Sequence, residues 1–127
     1  MKILRQTYLI SAPVSKVWQA LVDPKIIDKW GGGPAKMRDE VGYKFSLWGR
    51  DIHGTNTKVI KERELAQDWY GGDWEKPSKL IFTLSSKDGK TQVALLHEDV
   101  PDEEAEDIND GWRQYYLGPI KELLESE

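Results

Sequence analysis

Apolar positions along this chain change their spacing twice, which divides it into three stretches. Residues 3–10 (Ile3 to Ile10) are β-branched or aromatic enough for a first strand, with imperfect alternation, and end at Ser11-Ala12-Pro13. A helix is predicted to start there. Ser11 is a candidate N-cap, and Pro13 falls in the first turn, where its missing N–H does no harm. Val14, Val17, Trp18 and Leu21 then share one helical face. Asp23-Pro24 breaks that helix and caps a short second one carrying Ile26, Ile27 and Trp30, which Gly31-Gly32-Gly33-Pro34 terminates. The two helices are expected to form a V.

From Ala35 to Asp99 the period becomes two. Phe45 and Leu47 alternate with Lys44, Ser46 and Trp48, and Leu80, Phe82 and Leu84 alternate with Lys79 and Thr83, as in strands with one buried face. Turn signals fall between the runs at Val41-Gly42, Trp48-Gly49-Arg50-Asp51, Arg63-Glu64, Gly71-Gly72-Asp73 and Lys87-Asp88-Gly89-Lys90. Such short spacers predict an antiparallel meander of about six strands, with Asp88-Gly89 as the sharpest hairpin signal.

After Val100-Pro101 the helical period returns, and Asp102-Glu103-Glu104 supplies negative charge suited to a helix N-terminus. Ala105, Ile108, Trp112, Tyr115, Tyr116, Ile120, Leu123 and Leu124 follow one face of a long helix, with a bend expected near Gly118-Pro119 because Pro119 offers no N–H to the Tyr115 carbonyl. The order β, α, α, about six β, long α describes an α+β domain: a curved antiparallel sheet of about six to seven strands whose concave apolar face is covered by its one long helix. A sheet curved around a helix often leaves an apolar cavity between the two.

The chain has 127 residues, the size of one domain, read here as 1–127. Apolar residues at 39% and charged residues at 31% suit a soluble globular chain. The net charge of −4 gives no general reason to bind nucleic acid. Cysteine is absent, which removes disulfides, thiol nucleophiles and thiolate metal sites and fits a reducing cytoplasm. Met1–Gln6 reads as neither signal nor anchor, and no stretch approaches the ~18 apolar residues of a membrane span. Six Trp and five Tyr against two Phe suggest amphipathic walls around something.

Trp30, Met37, Phe45, Leu47, Trp69, Phe82, Leu95, Trp112 and Tyr116 are the candidate ligand-lining set. Taken singly, each is explained by core packing; as a set, they either fill the core or wall a cavity. His97 and Asp99 are expected on one strand face, giving two metal ligands without a third unless His53 adjoins; the reading is of surface or strand-edge histidines and no metal site. No Gly-x-Ser-x-Gly elbow accompanies the serines, and no catalytic residue is assigned. Gly31–Pro34 lacks the Lys-Ser/Thr of a phosphate loop and is read as a C-cap and mobile lid beside a cavity mouth. Lys58, Lys61 and Arg63 form a basic cluster at a strand end, suited to an acidic partner or to protecting an edge.

Ile10-Ser11-Ala12-Pro13 leading into Val17-Trp18-Gln19-Ala20-Leu21, Asp23-Pro24, Trp30, Val41-Gly42-Tyr43-Lys44-Phe45, Ile52-His53-Gly54, Trp69, and Val100-Pro101 followed by Gly111-Trp112-Arg113-Gln114-Tyr115-Tyr116 and Ile120-Lys121 together carry a resemblance. The chain resembles the START-like, helix-grip superfamily and, within it, the domain similar to the C-terminal half of the activator of Hsp90 ATPase. The resemblance implies a helix-grip fold and a non-enzymatic module for a small apolar or amphipathic molecule, with no cofactor. It also implies an alternative, a co-chaperone-like domain docking on an ATPase chaperone, and a second, a cyclase-type enzyme acting in the cavity. The expected state is a cytoplasmic monomer or weak dimer, without nucleic-acid or membrane partners.

Overall fold

A computed structural model describes residues 1–127 as six strands and four α-helices. Strands β1 (Lys2–Ile10), β2 (Lys44–Leu47), β3 (Ile52–Ile60), β4 (Glu64–Gly71), β5 (Ser78–Lys87) and β6 (Lys90–Val100) form one antiparallel sheet in the order β1-β6-β5-β4-β3-β2. Alternation places Leu80, Phe82 and Leu84 of β5 and Val93 and Leu95 of β6 on the inner face. Asp88 and Gly89 both take positive φ, 53° and 78°, as a two-residue hairpin requires, and Lys87 pairs with Lys90.

The meander holds five strands, not about six, which with β1 makes six. Residues 35–43 contribute only a bridge between Lys36 and Ser46. The buried Asn56 holds this stretch as a loop: its Nδ2 donates to the carbonyls of Arg38 (2.8 Å) and Glu40 (3.1 Å). Those carbonyls therefore need no strand partner.

Helices α1 (Val14–Val22) and α2 (Pro24–Trp30) form the V after β1. Asp23 caps α2, its carboxylate accepting from the Lys25 N–H at 2.9 Å, and Gly31 ends that helix in the left-handed region at φ 106°. Trp30 Nε1 donates to the Ala20 carbonyl at 2.9 Å and ties the two helices together. Ser11 is not the N-cap of α1. That place falls to Pro13 with no side-chain bond, while the Ser11 N–H donates to the Glu125 carboxylate (2.9 Å) at the far end of the chain.

The C-terminal helix crosses the inner face in pieces: a short 3₁₀ turn at Asp102–Glu104, α3 (Ala105–Gly111), a π-turn over Trp112–Tyr116 and α4 (Leu117–Glu125). The Leu117 N–H donates to the Trp112 carbonyl, five residues back. The irregularity expected at Gly118-Pro119 is thus resolved one turn earlier, as a widened turn. Tyr115, expected on the core face, is 65% exposed, whereas Trp112 and Tyr116 are buried. No helix is long and apolar enough to cross a membrane.

Candidate binding groove

The inner face of the sheet meets the C-terminal helix through tilted and edge-to-face aromatic rings. Trp112 packs against Tyr116 (ring centroids 4.6 Å apart), Trp69 of β4 (5.6 Å) and Phe82 of β5 (5.7 Å), and Tyr116 packs against Trp30 (4.7 Å). Such pairs contribute about 0.5–1.5 kcal/mol each beyond their buried area. All nine residues of the candidate set are buried in this core. Trp69, Trp112 and Tyr116 also line a groove of about 400 Å³ between the sheet and the C-terminal helix. Trp30, Met37, Leu47, Phe82 and Leu95 do not reach that groove; Phe45 borders a different depression.

A buried polar chain stands behind the groove. Trp112 Nε1 can only donate, so His97 Nδ1 accepts at 3.1 Å. His97 Nε2 then carries the proton and donates to Ser78 Oγ at 2.7 Å, and Ser78 Oγ–H donates to the Trp69 carbonyl at 2.8 Å. Both imidazole nitrogens are committed, and burial lowers the His97 pKa from 6.5 to about 4, so the ring is neutral. The polarity is the reverse of a Ser–His nucleophile pair, in which the imidazole accepts the serine proton. His97 is therefore structural and fully buried, not a surface or strand-edge residue.

Asp99 does not share its face. Its φ of 60° breaks the alternation, where the β1–β6 register shifts between Lys2 and Leu4, and its side chain lies in solvent. His53 is likewise apart from His97: it stacks on Tyr70 (5.1 Å) and its Nε2 donates to the Gly72 carbonyl (2.8 Å). Burial raises the Tyr116 phenol above its ordinary value, which keeps the hydroxyl protonated. Three buried polar atoms have no partner: Trp18 Nε1, Gln67 Oε1 and Trp69 Nε1.

Trp48, Tyr115, Asp51, Glu104 and Asp107 also line the groove, and pattern reading missed them. The alternation predicts Trp48 on the polar side of β2. At φ 49° in the β2–β3 turn it instead comes to 6.0 Å from both Trp30 and Tyr116. A Trp-Gly pair at a strand end was its only signal. Glu104 belongs to the helix-start charge, and only the tertiary fold brings it and Asp107 into one groove with Asp51.

The glycine loop is no free lid at this groove. The Gly32 carbonyl accepts from the Trp48 N–H (2.8 Å) and the Pro34 carbonyl from the Gly49 N–H (3.1 Å), which pins the loop to the β2–β3 turn. On the β2–β3 side a second depression, of about 720 Å³, is lined by Lys36, Lys44, Arg50 and His53 with no carboxylate. Lys58, by contrast, is paired with Glu64 at 3.2 Å.

Residues 11–125 match the family of Activator of Hsp90 ATPase homolog 1-like proteins. The chain is 24% identical over 123 residues to the Activator of 90 kDa heat shock protein ATPase homolog 1 of Mus musculus, covering 95% of this chain and 36% of the mouse protein. It thus spans little more than a third of that relative. Its fold resembles the crystal structure of an HSP90 activator from Plasmodium falciparum, with a TM-score of 0.91 at 24% identity over 98% of this chain and 97% of the other. It also resembles the solution structure of the Aha1 dimer from Colwellia psychrerythraea, with a TM-score of 0.81 at 23% identity over 98% and 97% of the two chains. The chain belongs to the Activator of Hsp90 ATPase homolog 1-like family and has its helix-grip fold.

Proposed function

From that membership we propose that the chain is a co-chaperone-like interaction domain for an Hsp90-type ATPase chaperone. The observation that carries the reading is the end-to-end similarity to the Plasmodium falciparum HSP90 activator, 97% of whose chain is covered. The depression lined by Lys36, Lys44 and Arg50 supports it with a surface suited to an acidic segment of a partner. The test is steady-state ATP turnover by the Hsp90-type chaperone of the same host, with and without the purified chain. Increased turnover that falls with added salt is expected. Unchanged turnover together with no complex in analytical ultracentrifugation would refute the reading. The same sedimentation run reports whether the chain is a monomer or a weak dimer.

A second reading is favoured by the groove itself: a small apolar or amphipathic molecule held between sheet and helix. Its support is an aromatic-floored space of about 400 Å³. Native mass spectrometry of protein from its own host is expected to show a bound small molecule, with tryptophan fluorescence responding to an apolar library. An empty protein with indifferent tryptophans would sink this reading and leave the chaperone one standing. For the cyclase-type alternative, His53 lies outside the groove and His97 offers no base, since both its nitrogens are engaged.

A further inference from the structure

The groove continues beyond the space described above. Asp51, Ile52, Trp69, Glu104 and Ile108 also line an adjoining depression of about 500 Å³ that extends to Asp73 and Trp74. Along the combined length the ionisable side chains apart from tyrosine are four carboxylates, Asp51, Asp73, Glu104 and Asp107, with no Lys, Arg or His. Their aromatic neighbours include Trp48, Trp69, Trp74, Trp112 and Tyr115. None of the four carboxylates is in an ion pair; Glu104 instead accepts from Trp74 Nε1 at 2.6 Å, which joins the β4–β5 connection to the start of the C-terminal helix.

Aromatic faces carry the negative side of the ring quadrupole, so they and the carboxylates attract the same kind of ligand. A concave site lined by one sign of charge also concentrates the opposite charge. An anionic amphiphile would meet repulsion from four acids with no compensating base. Trp69, which lines both parts of the groove at 4% exposure, offers a ligand its ring and not its indole N–H, which is enclosed by protein.

We infer that the groove takes an organic cation: a small molecule with an apolar body against the aromatic rings and an ammonium group at the acidic rim. This rests on the reading of the groove as a small-molecule site and adds the charge class of the ligand. It is independent of the chaperone reading, whose surface is the basic depression beside β2 and β3.

The test is isothermal titration of the full chain with three esters of 1-naphthoic acid that share the aromatic body and differ in the charge of the alcohol part. They carry a 2-(trimethylammonio)ethyl group, its uncharged carbon isostere 3,3-dimethylbutyl, and an anionic 2-sulfoethyl group. The cation is expected to bind about tenfold more tightly than the isostere, and the anion more weakly than either. The exposed substitutions Asp51→Asn and Asp107→Asn together should reduce the preference for the cation toward parity while leaving affinity for the isostere unchanged. Equal affinity for cation and isostere would overturn the charge assignment and leave the small-molecule reading intact. Absence of binding by all three would overturn both.

Discussion

Lowering the pH should weaken this fold through one buried imidazole. In an unfolded chain His97 protonates as pH falls through about 6.5, whereas in the native protein it resists protonation down to about 4. Between those values the unfolded state binds more protons, so stability falls as pH falls. The contribution is complete above pH 6.5, is lost progressively below it, and levels off below pH 4. At about 1.4 kcal/mol per tenfold change in proton affinity, the whole span amounts to about 3 kcal/mol, of which about 2 kcal/mol is gone by pH 5. Geometry supports the same direction: a proton on Nδ1 would set an N–H against the Trp112 indole N–H, which has no way to accept it.

Urea unfolding of wild type and His97→Gln at pH 7, 6 and 5 isolates this contribution. Glutamine offers an acceptor toward Trp112 and a donor toward Ser78 without titrating, and surface carboxylates such as Asp102 and Glu125 titrate alike in both proteins. The variant should be less stable at pH 7, and the gap should shrink by about 2 kcal/mol at pH 5. Parallel stability curves between pH 7 and 5 would refute the assignment of His97 as a locked neutral ring.

Two further substitutions test the helices. Gly118→Ala should destabilise by about 1–3 kcal/mol in the same unfolding assay, opposite in sign to helix propensity, because the new Cβ would lie 1.9 Å from the Arg113 carbonyl oxygen; unchanged or increased stability would contradict the π-turn. Asp23→Ala removes the carboxylate that accepts from the Lys25 N–H and should cost about 1 kcal/mol in urea unfolding at pH 7; unchanged stability would show that the cap contributes nothing.

Much of the fold was legible because its signals are local. Leu80, Phe82 and Leu84 alternate within one strand, Asp88-Gly89 demands a tight hairpin, and Asp23-Pro24 and Gly31 bracket a short helix; each needs only its neighbours to act. The site was less legible because it depends on departures from regularity. The left-handed backbone at Asp99 separates it from His97, and that at Trp48 moves an indole onto the groove. Neither residue is glycine, and neither conformation is written in the hydrophobic pattern. The nine-residue aromatic and aliphatic set identified what is buried together. It could not divide the residues that pack the core from those that reach the groove, since burial is common to both.

The π-turn connects the proline to the site. In a regular helix Trp112, Tyr115, Tyr116 and Pro119 would share one face, which is why the period predicts Tyr115 inside. Pro119 has no N–H to offer the Tyr115 carbonyl, and Gly118 can approach the Arg113 carbonyl because it has no side chain. The widened turn keeps Trp112 and Tyr116 packed together inward, ring centroids 4.6 Å apart, and leaves Tyr115 at the groove, in solvent. Two residues that serve backbone geometry therefore decide which aromatic rings a ligand would meet. It follows that Gly118→Ala should lower stability and groove affinity together, as relief of the clash with the Arg113 carbonyl distorts the turn and displaces Tyr115. Asp51→Asn with Asp107→Asn should alter the cation preference without touching the fold. Loss of stability in Gly118→Ala with groove affinity unchanged would separate the two roles and remove the π-turn from the account of the site.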